Sequence, residues 1–342
     1  MPLPTTPGNP KFIAPLPVWV KRLLIRWAGR PWINPWLVRA FTLLKPLTPP
    51  HLLHRIPVTG EVWIPLPGGR RVGVCSDGED QIAAMLHWGG WEGFEGETFR
   101  VFEALLPHVG VVLDLGANTG WYALAAGTAD PARRVYAFEP VPAIFQRLTA
   151  NIRLNGLTNV TAVAAAAAER EGEGVILLPD GSFLPTSATL EPDHLRAIHR
   201  RIRAETPIPL TTVDAFLAQR EGESEGAAAN ELPMLIKIDV EGAEPRVLRG
   251  ALRTLDRRAP LLVCEVLPGA GAAIAEALAG RDYLFYHLRP EGAVERRALV
   301  GDPAMHWLNW LLVPRRRREE TRRALAAAGI PMDPAAEYSY SI

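Results

Sequence analysis

Strand and helix patterns alternate along the middle of the chain, and this alternation limits the fold more than any other feature. Three apolar strand patterns lie at 111–115, 135–138 and 160–164, with helix patterns at 122–126 and 144–155 between them. Strands that alternate with helices form a parallel sheet covered by helices on both faces. A second series of strand patterns follows at 234–239, 261–266, 284–288 and 307–313. The sequence therefore predicts an α/β fold whose sheet has seven core strands.

The remaining segments divide the chain of 342 residues into a main domain with additions. Residues 1–57 form an N-terminal arm rich in Trp and Pro, residues 58–314 the main domain, and residues 315–342 a C-terminal helix and tail. The runs at 62–67 and 70–75 flank two glycines and predict a β-hairpin. The strand and helix rhythm breaks at about 169–210, which predicts an insertion, with a charged helix near 192–204.

The formal net charge of zero conceals a strong segregation of charge along the chain. Residues 1–60 hold eight Lys and Arg, whereas all 37 Asp and Glu lie beyond residue 60. One interpretation is a surface that contacts anionic lipids or an acidic partner, with Trp19, Trp27, Trp32 and Trp36 as anchors. The other is a helical arm that packs on its own domain or on a second subunit of an oligomer. The prolines of the arm favour the packed arm, because they interrupt any long amphipathic helix.

Composition also excludes several classes of protein. No uncharged run approaches the roughly 20 residues that span a bilayer, and the first ten residues do not resemble a secretory signal. The two cysteines, Cys75 and Cys264, are too few for a disulfide framework or a zinc site, which favours a reducing cytoplasm. The acidic balance beyond the arm argues against a nucleic-acid groove. We therefore expect a cytoplasmic protein, peripheral to the membrane if the arm binds lipid.

The first strand leads into a glycine-containing turn that predicts a ligand platform. Gly116 lets the backbone turn, and Gly120 permits tight packing at the start of the helix. Glu139 ends the second strand, where an acidic side chain accepts hydrogen bonds from ribose hydroxyls. Asp114 at the strand end would repel a phosphate but suits an ammonium group, as in S-adenosylmethionine. A nicotinamide-dependent oxidoreductase is the weaker alternative, because the third glycine of a dinucleotide loop is missing.

The strand that begins at Leu235 ends in a dense set of charges. Lys237 and Asp239 are two positions apart, so they point to the same face of the strand, and Glu241 follows at its end. Glu265 lies at the carboxyl end of the next strand. Charges on a buried strand cost free energy unless they are paired or used, and ligands of an open α/β sheet bind at this edge.

These motifs, taken together, resemble the FkbM family of S-adenosylmethionine-dependent methyltransferases. The motifs that carry the resemblance are Asp114-x-Gly116-Ala117-Asn118-x-Gly120, Phe138-Glu139-Pro140, Thr212-Val213-Asp214-x-Phe216-Leu217 and Ile236-Lys237-Ile238-Asp239-Val240-Glu241-Gly242-Ala243-Glu244. The resemblance covers about residues 60–314. It implies a class I methyltransferase fold, Rossmann-like, with seven strands of which the last is antiparallel. It also implies O-methylation of a hydroxyl on a sugar, a glycolipid or polysaccharide, or a polyketide-like small molecule.

The resemblance also implies a set of cofactor-binding residues. Asp114, Gly116, Asn118 and Gly120 would surround the methionine part of the cofactor and Glu139 its ribose, with Ala117 and Pro140 in the same motifs. Family members often carry a polar or acidic residue after the third strand, where this chain has an alanine run, 164–168, that places Ala165 at the adenine. The segment with Glu95, Glu97 and Thr98 resembles a family element that lies beside the cofactor.

Two mechanisms for removing the acceptor's proton follow from these residues. In the first, Asp239 or Glu241 is the general base and Lys237 keeps a carboxylate ionised or orients the acceptor. In the second, Asp239 and Glu265 share a Mg²⁺ ion that acidifies the bound hydroxyl. A buried Lys–Asp pair that only fixes the strand end is the structural alternative. A scaffold that is recruited to membranes by its arm, and binds the cofactor without catalysis, is the alternative function.

Overall fold

The computed structural model describes residues 27–30, 32–179, 188–191, 201–223 and 232–333 of the chain. Trp19 and most of the predicted helix at 192–204 lie outside these ranges. The N-terminal arm contains helix α1 (Asn34–Leu44), a short 3₁₀ turn (Lys45–Leu47) and helix α2 (Pro50–Leu53). Within the described ranges, none of the helices combines the length and the apolar character needed to cross a bilayer.

A hairpin and two helices follow the arm and cover one end of the sheet. Strands β1 (Thr59–Pro65) and β2 (Arg71–Asp77) pair antiparallel, as the two-glycine turn predicts. Helix α3 (Gln81–Gly89) begins at Asp80, whose Oδ1 accepts a hydrogen bond from the Ala83 amide at 3.0 Å. Helix α4 (Gly96–Leu105) then ends before Pro107.

The first half of the main sheet follows the predicted alternation. Its elements are β3 (Val111–Leu115), α5 (Trp121–Ala129), β4 (Arg134–Phe138), α6 (Pro142–Leu154) and β5 (Val160–Val163). A separate small sheet follows, in which strands β7 (Gly172–Pro179) and β8 (Ile202–Thr211) of the insertion join strand β6 (Ala166–Ala167). Helix α7 (Val213–Glu223) comes next. The predicted helix near 192–204 is wrong over residues 202–204, because these residues pair with β7 as part of β8.

The second half of the sheet contributes the remaining core strands and two additions. Its elements are β9 (Met234–Ile238), α8 (Glu244–Arg249), α9 (Leu252–Arg258), β10 (Leu261–Glu265), α10 (Gly271–Ala277), β11 (Tyr283–Arg289), β12 (Gly292–Arg296), β13 (Asn309–Pro314), α11 (Arg318–Ala327) and β14 (Met332–Asp333). The strand order is β14-β12-β11-β13-β10-β9-β3-β4-β5. Seven of these strands are the predicted core, and β12 and β14 extend one edge beyond it.

The strand order places a switch point in the middle of the sheet. From β3 the chain moves outward through β4 to β5, and from β9 it moves the opposite way to β10, while β3 and β9 are parallel neighbours. Strand β13 is antiparallel to β10, as the class I methyltransferase fold requires. A crevice opens at the carboxyl ends of strands at such a switch point, and ligands of open α/β sheets bind there.

Candidate active site

Each of the three central strands carries one ionisable side chain near its carboxyl end. Strands β3, β9 and β10 are buried along their whole length, which explains their nearly continuous apolar sequences. The exceptions are Asp114, Lys237 and Glu265, all of them buried. Asp114 and Lys237 are direct neighbours in the strand register, and Glu265 lies two residues beyond the partner of Lys237. The sheet therefore brings the three groups together at the switch point.

A cavity of about 310 Å³ opens above these strand ends. Its lining includes all four predicted catalytic residues and most of the predicted cofactor residues, namely Glu95, Asp114, Gly116, Ala117, Asn118, Glu139, Pro140, Ala165, Lys237, Asp239, Glu241 and Glu265. Three residues that the sequence analysis placed at the cofactor, Glu97, Thr98 and Gly120, lie outside the lining. Thr98 is buried within α4, and a Cβ on Gly120 would lie 2.6 Å from Leu148, so this glycine serves helix packing.

Among the lining residues that the structure describes, Lys237 is the only cation, and several groups hold it. Its Nζ lies 2.7 Å from Asp239 Oδ2, 3.7 Å from Glu95 Oε2 and 4.8 Å from the centre of the Tyr122 ring. Burial by itself would lower the pKa of Lys237, but the charges of Asp239 and Glu95 outweigh it and raise this pKa above its usual value. The lysine is therefore charged at neutral pH and holds Asp239 in a fixed position.

Tyr122 is a residue of this network that the sequence did not reveal. Its hydroxyl donates a hydrogen bond of 2.6 Å to Glu95 Oε2, and burial together with the Glu95 charge raises the tyrosine pKa well above its usual value. In sequence, Tyr122 belongs to an apolar helix and looks like an ordinary core aromatic residue. Its position two residues after Gly120, at the start of the helix that follows the ligand turn, is the signal that could have identified it.

The cofactor half of the cavity is organised around Glu139. Glu139 Oε2 accepts a hydrogen bond from the Asn118 amide at 3.0 Å, and Oε1 accepts one from the Val141 amide at 2.8 Å. A carboxylate has about four acceptor positions, so these two bonds leave capacity for two hydroxyls. Burial raises the pKa of Glu139 to about 7 despite these bonds. The amides of Asn118 and Val141 therefore orient the Glu139 carboxylate, and this geometry suits the predicted binding of a ribose.

Asp114 is the second carboxyl group on this side. Its Oδ2 accepts a hydrogen bond of 3.0 Å from the Ala123 amide in the first turn of α5. Burial raises its pKa to about 7, although the nearby charge of Lys237 acts in the opposite direction. A buried carboxyl group near its midpoint at neutral pH gains from a ligand that brings a positive charge.

The backbone around the cavity is unusually constrained. A Cβ on Gly116 would lie 1.8 Å from the carbonyl oxygen of Asp239, so only glycine lets the β3 turn approach the end of β9. Glu95, Asn118 and Glu241 have left-handed backbone conformations, with φ values of 48°, 49° and 55°. Such conformations are costly for residues other than glycine and concentrate at functional sites.

Glu265 and Glu244 are two further buried carboxyl groups, of which Glu265 lines the cavity. Glu244 Oε1 accepts hydrogen bonds from the amides of Val240 and Gly242, each at 3.1 Å, and so shapes the loop that carries Glu241. Burial, reinforced by the charge of Asp239, raises the pKa of Glu265 well above its usual range. Within 27–30, 32–179, 188–191, 201–223 and 232–333, no group of three or more His, Cys, Asp or Glu side chains is arranged to hold a metal.

The charge of the lining selects among cofactors. Among the described residues of the lining, six carboxyl groups, from Glu95, Asp114, Glu139, Asp239, Glu241 and Glu265, accompany one lysine. This donor set would repel a pyrophosphate and suits a cofactor with an ammonium and a sulfonium group. The residues present therefore fit S-adenosylmethionine, and the assignment of Glu139 to its ribose and of Asp114 to its ammonium group stays a prediction.

Comparisons with known proteins identify the family of the chain. The model of the methyltransferase FkbM domain matches residues 114–289, just over half of the chain. The 31-O-demethyl-FK506 methyltransferase FkbM of Streptomyces tacrolimicus is 29% identical in an alignment of 238 positions that covers 64% of this chain and 87% of that protein. Methyltransferase sdnD of Sordaria araneosa is 29% identical in an alignment of 165 positions that covers 43% of this chain and 62% of that protein.

A third relative is much longer than this chain. The AMB antimetabolite synthetase AmbE of Pseudomonas aeruginosa is 29% identical in an alignment of 242 positions. This alignment covers 64% of this chain but 11% of that protein. Among solved structures, a methyltransferase FkbM from Methylobacillus flagellatus aligns with 70% of this chain and 55% of its own, at 16% identity and a TM-score of 0.36. An O-methyltransferase of Bacillus cereus in complex with SAH aligns with 64% of this chain and 80% of its own, at 12% identity and a TM-score of 0.36.

The sheet order and the switch-point cavity are those of a class I methyltransferase fold, so the expectation about the fold is confirmed. The acidic lining fits S-adenosylmethionine as the cofactor. With the domain match over residues 114–289, the chain belongs to the FkbM methyltransferase family.

Proposed function

We propose that this methyltransferase acts on a hydroxyl oxygen of a sugar, a glycolipid or polysaccharide, or a polyketide-like small molecule. The observation that carries the proposal is the Lys237–Asp239 pair at the cavity wall. The side chain of Asp239 is 24% exposed, whereas Lys237 behind it is almost fully buried. A hydroxyl is a weak nucleophile until it loses its proton, and a fixed carboxylate beside the acceptor can accept that proton.

The cofactor supplies an electrophilic methyl group on a positively charged sulfur. The residues of this chain align the acceptor oxygen with that methyl group, so that a C–O bond forms as the C–S bond breaks. Asp239 takes the proton of the hydroxyl, and Lys237 holds Asp239 toward the cavity. Glu241, which also lines the cavity, is the second candidate for the base. In the alternative, Asp239 and Glu265 would hold a Mg²⁺ ion, which would acidify the bound hydroxyl.

The insertion supplies the wall that faces the acceptor. Ile176, Ala188 and Leu190 from this segment line the cavity, and Thr189 Oγ1 donates a hydrogen bond of 2.7 Å to the carbonyl of Glu241. These side chains are apolar, whereas the base side is acidic. An acceptor with both an apolar part and hydroxyl groups fits the two sides, which supports glycolipids and hydroxylated polyketide-like molecules within the proposed class. The Streptomyces relative is named for a 31-O-demethyl substrate, which supports an oxygen atom as the methyl acceptor.

A methyl-acceptor screen with labelled S-adenosylmethionine tests the proposal. Simple sugars, lipid-linked glycans and hydroxylated small molecules are offered separately, and each labelled product is examined for an O-methyl group. We expect label in hydroxyl-bearing acceptors and none in the same molecules with that hydroxyl removed. Label that appears only on nitrogen or sulfur would reject an O-methyltransferase. Repeating the assay with a chelator, and then with added Mg²⁺, separates the metal route from direct proton transfer to Asp239.

A further inference from the structure

The N-terminal arm has one face that is fixed to the body of the enzyme. Asn34 is buried and Val38 and Phe41 pack against the core, at the spacing of one side of helix α1. Trp88 Nε1 in α3 also donates a hydrogen bond of 3.2 Å to the carbonyl of Ile56. The expectation of an arm that packs on its own domain therefore holds for this inner face.

The opposite face of the arm is apolar and exposed to solvent. Trp36, Ala40, Leu43 and Leu47 follow one another at intervals of three or four residues, on the side away from Asn34 and Phe41. The exposed fractions are 71% for Trp36 and 82% for both Leu43 and Leu47. Trp27 and Trp32 are also more than half exposed. A surface helix of a globular protein normally presents polar residues here, so a contiguous apolar face indicates an interaction site.

The charged residues of the described arm have a single sign. Between residues 27 and 57 the sequence has four charged residues besides histidine, Arg30, Arg39, Lys45 and Arg55, and all four are exposed cations. In the sequence, Arg39 lies between Trp36 and Leu43, and Lys45 lies between Leu43 and Leu47. No Asp or Glu occurs in this part of the sequence to neutralise them. The partner of the face is therefore apolar where it meets Leu43 and Leu47, and anionic around them.

We propose that this outer face docks onto an anionic lipid bilayer. Tryptophan is favoured at the interface between lipid and water, leucine side chains enter the acyl region, and each nearby basic residue strengthens binding to anionic lipid. Pairing of this face with a second copy of the chain fits less well. A symmetric contact would place Arg39 and Lys45 opposite a surface of the same sign that has no carboxylate to offer.

Vesicle flotation with the full chain tests the proposal without reference to methyl transfer. The vesicles are phosphatidylcholine alone, or the same lipid with one third phosphatidylglycerol. We expect the enzyme to float with the anionic vesicles and to remain unbound with the neutral ones. The variant Trp36→Ser/Leu43→Ser/Leu47→Ser removes the apolar face, and Arg39→Glu/Lys45→Glu reverses its charge. We expect each variant to reduce partition into the anionic vesicles by more than about tenfold. For the charge reversal this follows because each basic residue near an anionic surface contributes about a fivefold gain, and two are replaced.

Two controls separate lipid binding from other outcomes. The variant Val175→Ser/Leu252→Ser/Val300→Ser changes three exposed apolar residues outside the arm and should float like the unchanged enzyme. Affinity for S-adenosylmethionine should be equal in all variants, which shows that they are folded. Absence of flotation with anionic vesicles, or equal flotation of the Trp36→Ser/Leu43→Ser/Leu47→Ser variant, would overturn the proposal. Dimers that depend on Trp36, Leu43 and Leu47 in light scattering, without flotation, would assign the face to a second copy.

Discussion

Lys237 is the only lysine in the sequence after residue 45, while arginine is used throughout. Its surroundings explain the choice of residue type. The ammonium group lies between two carboxylates and the face of the Tyr122 ring, a compact arrangement around a point charge. The broad planar guanidinium of arginine would not fit such a site. A buried charge is tolerated only when neighbouring groups of opposite charge offset its desolvation. The charge of Lys237 therefore depends on the groups that surround its Nζ atom.

The variant Asp239→Asn tests the proposed base. An amide cannot accept the acceptor's proton, so we expect methyl transfer to fall by about 10²- to 10⁴-fold. Affinity for S-adenosylmethionine, measured by titration calorimetry, should stay within a few-fold, because Glu139 and Asp114 are unchanged. Asp256→Asn, in a surface pair with Arg281, is the matched control and should retain full turnover. Undiminished turnover of Asp239→Asn would show that another group accepts the proton.

Cofactor affinity should depend on pH through Glu139 and Asp114. Burial raises the pKa of each to about 7, so the folded enzyme keeps these protons up to neutral pH whereas the unfolded chain loses them near pH 4. Their contribution to folding stability is thus present at low pH and is lost as pH rises through 7. Binding changes in the opposite direction, because the ionised carboxylates attract the ribose hydroxyls and the ammonium group.

We therefore expect the Kd for S-adenosylmethionine to fall by about tenfold or more between pH 6 and pH 8, since one group with a pKa near 7 changes from mostly protonated to mostly ionised. Calorimetry at constant ionic strength measures this. In Glu139→Gln the affinity should be weaker at pH 8 and its pH dependence smaller. Affinity that is flat, or that weakens toward pH 8, would contradict the assignment of these two carboxyl groups to the cofactor.

At the scale of elements, the turn after β3 depends on its contact with β9. We expect Gly116→Ala to destabilise the fold, because its methyl group would overlap the Asp239 carbonyl and its φ of 84° is unfavourable for alanine. Gly68→Ala is the control, since it has a similar φ of 76° but nothing within 4 Å of the new methyl group. The control should cost about 1–2 kcal/mol in free energy of unfolding, and Gly116→Ala at least about 2 kcal/mol more.

Denaturant unfolding of both variants measures the difference, and calorimetry should show loss of cofactor binding in Gly116→Ala alone. Equal costs for the two variants would mean that the turn relaxes freely and that its approach to β9 is not needed.

Most elements could be predicted because their sequences are strongly patterned. The seven core strands are apolar runs of four to seven residues bounded by breakers, and buried parallel strands have this signature. Strands β12 and β14 are short and partly charged, so they exist only through pairing at the sheet edge. Residues 202–204 read as part of a charged helix, but pairing with β7 decided their conformation.

The candidate site was predictable where residues are unusual for their element, and hidden where they are ordinary. Asp114, Lys237 and Glu265 stand out as charges on buried strands. Tyr122 and the cavity-lining residues of α3 look like core residues, and only the packing of helices against the strand ends brings them to the cavity. Thr98 shows the reverse case, since it was expected beside the cofactor but is buried in α4.

At the scale of the whole molecule, Asn34 attaches the arm to the body. Its Nδ2 donates hydrogen bonds to the carbonyls of Ala28 and Pro57, and its Oδ1 accepts two from Thr59. We expect Asn34→Ala to loosen the arm, at a cost of roughly 2 kcal/mol for the buried groups that lose their partner. Hydrogen exchange should become faster in residues 34–59 while the central strands stay protected. Thr42→Ala, at an exposed position of the same helix, is the control and should leave exchange unchanged.

The left-handed residues at the cavity imply that the fold is less stable than it would be with glycine at these positions. Glu241 adopts its conformation at an energetic cost that glycine would not incur. We expect Glu241→Gly to raise the melting temperature, or at least not lower it, while turnover falls; a scan of unfolding and activity in parallel measures both. A variant that loses stability instead would show that the side chain contributes more than the backbone costs. Substitutions meant to raise the melting temperature should therefore be made at positions other than Glu95, Asn118 and Glu241, so that turnover is kept.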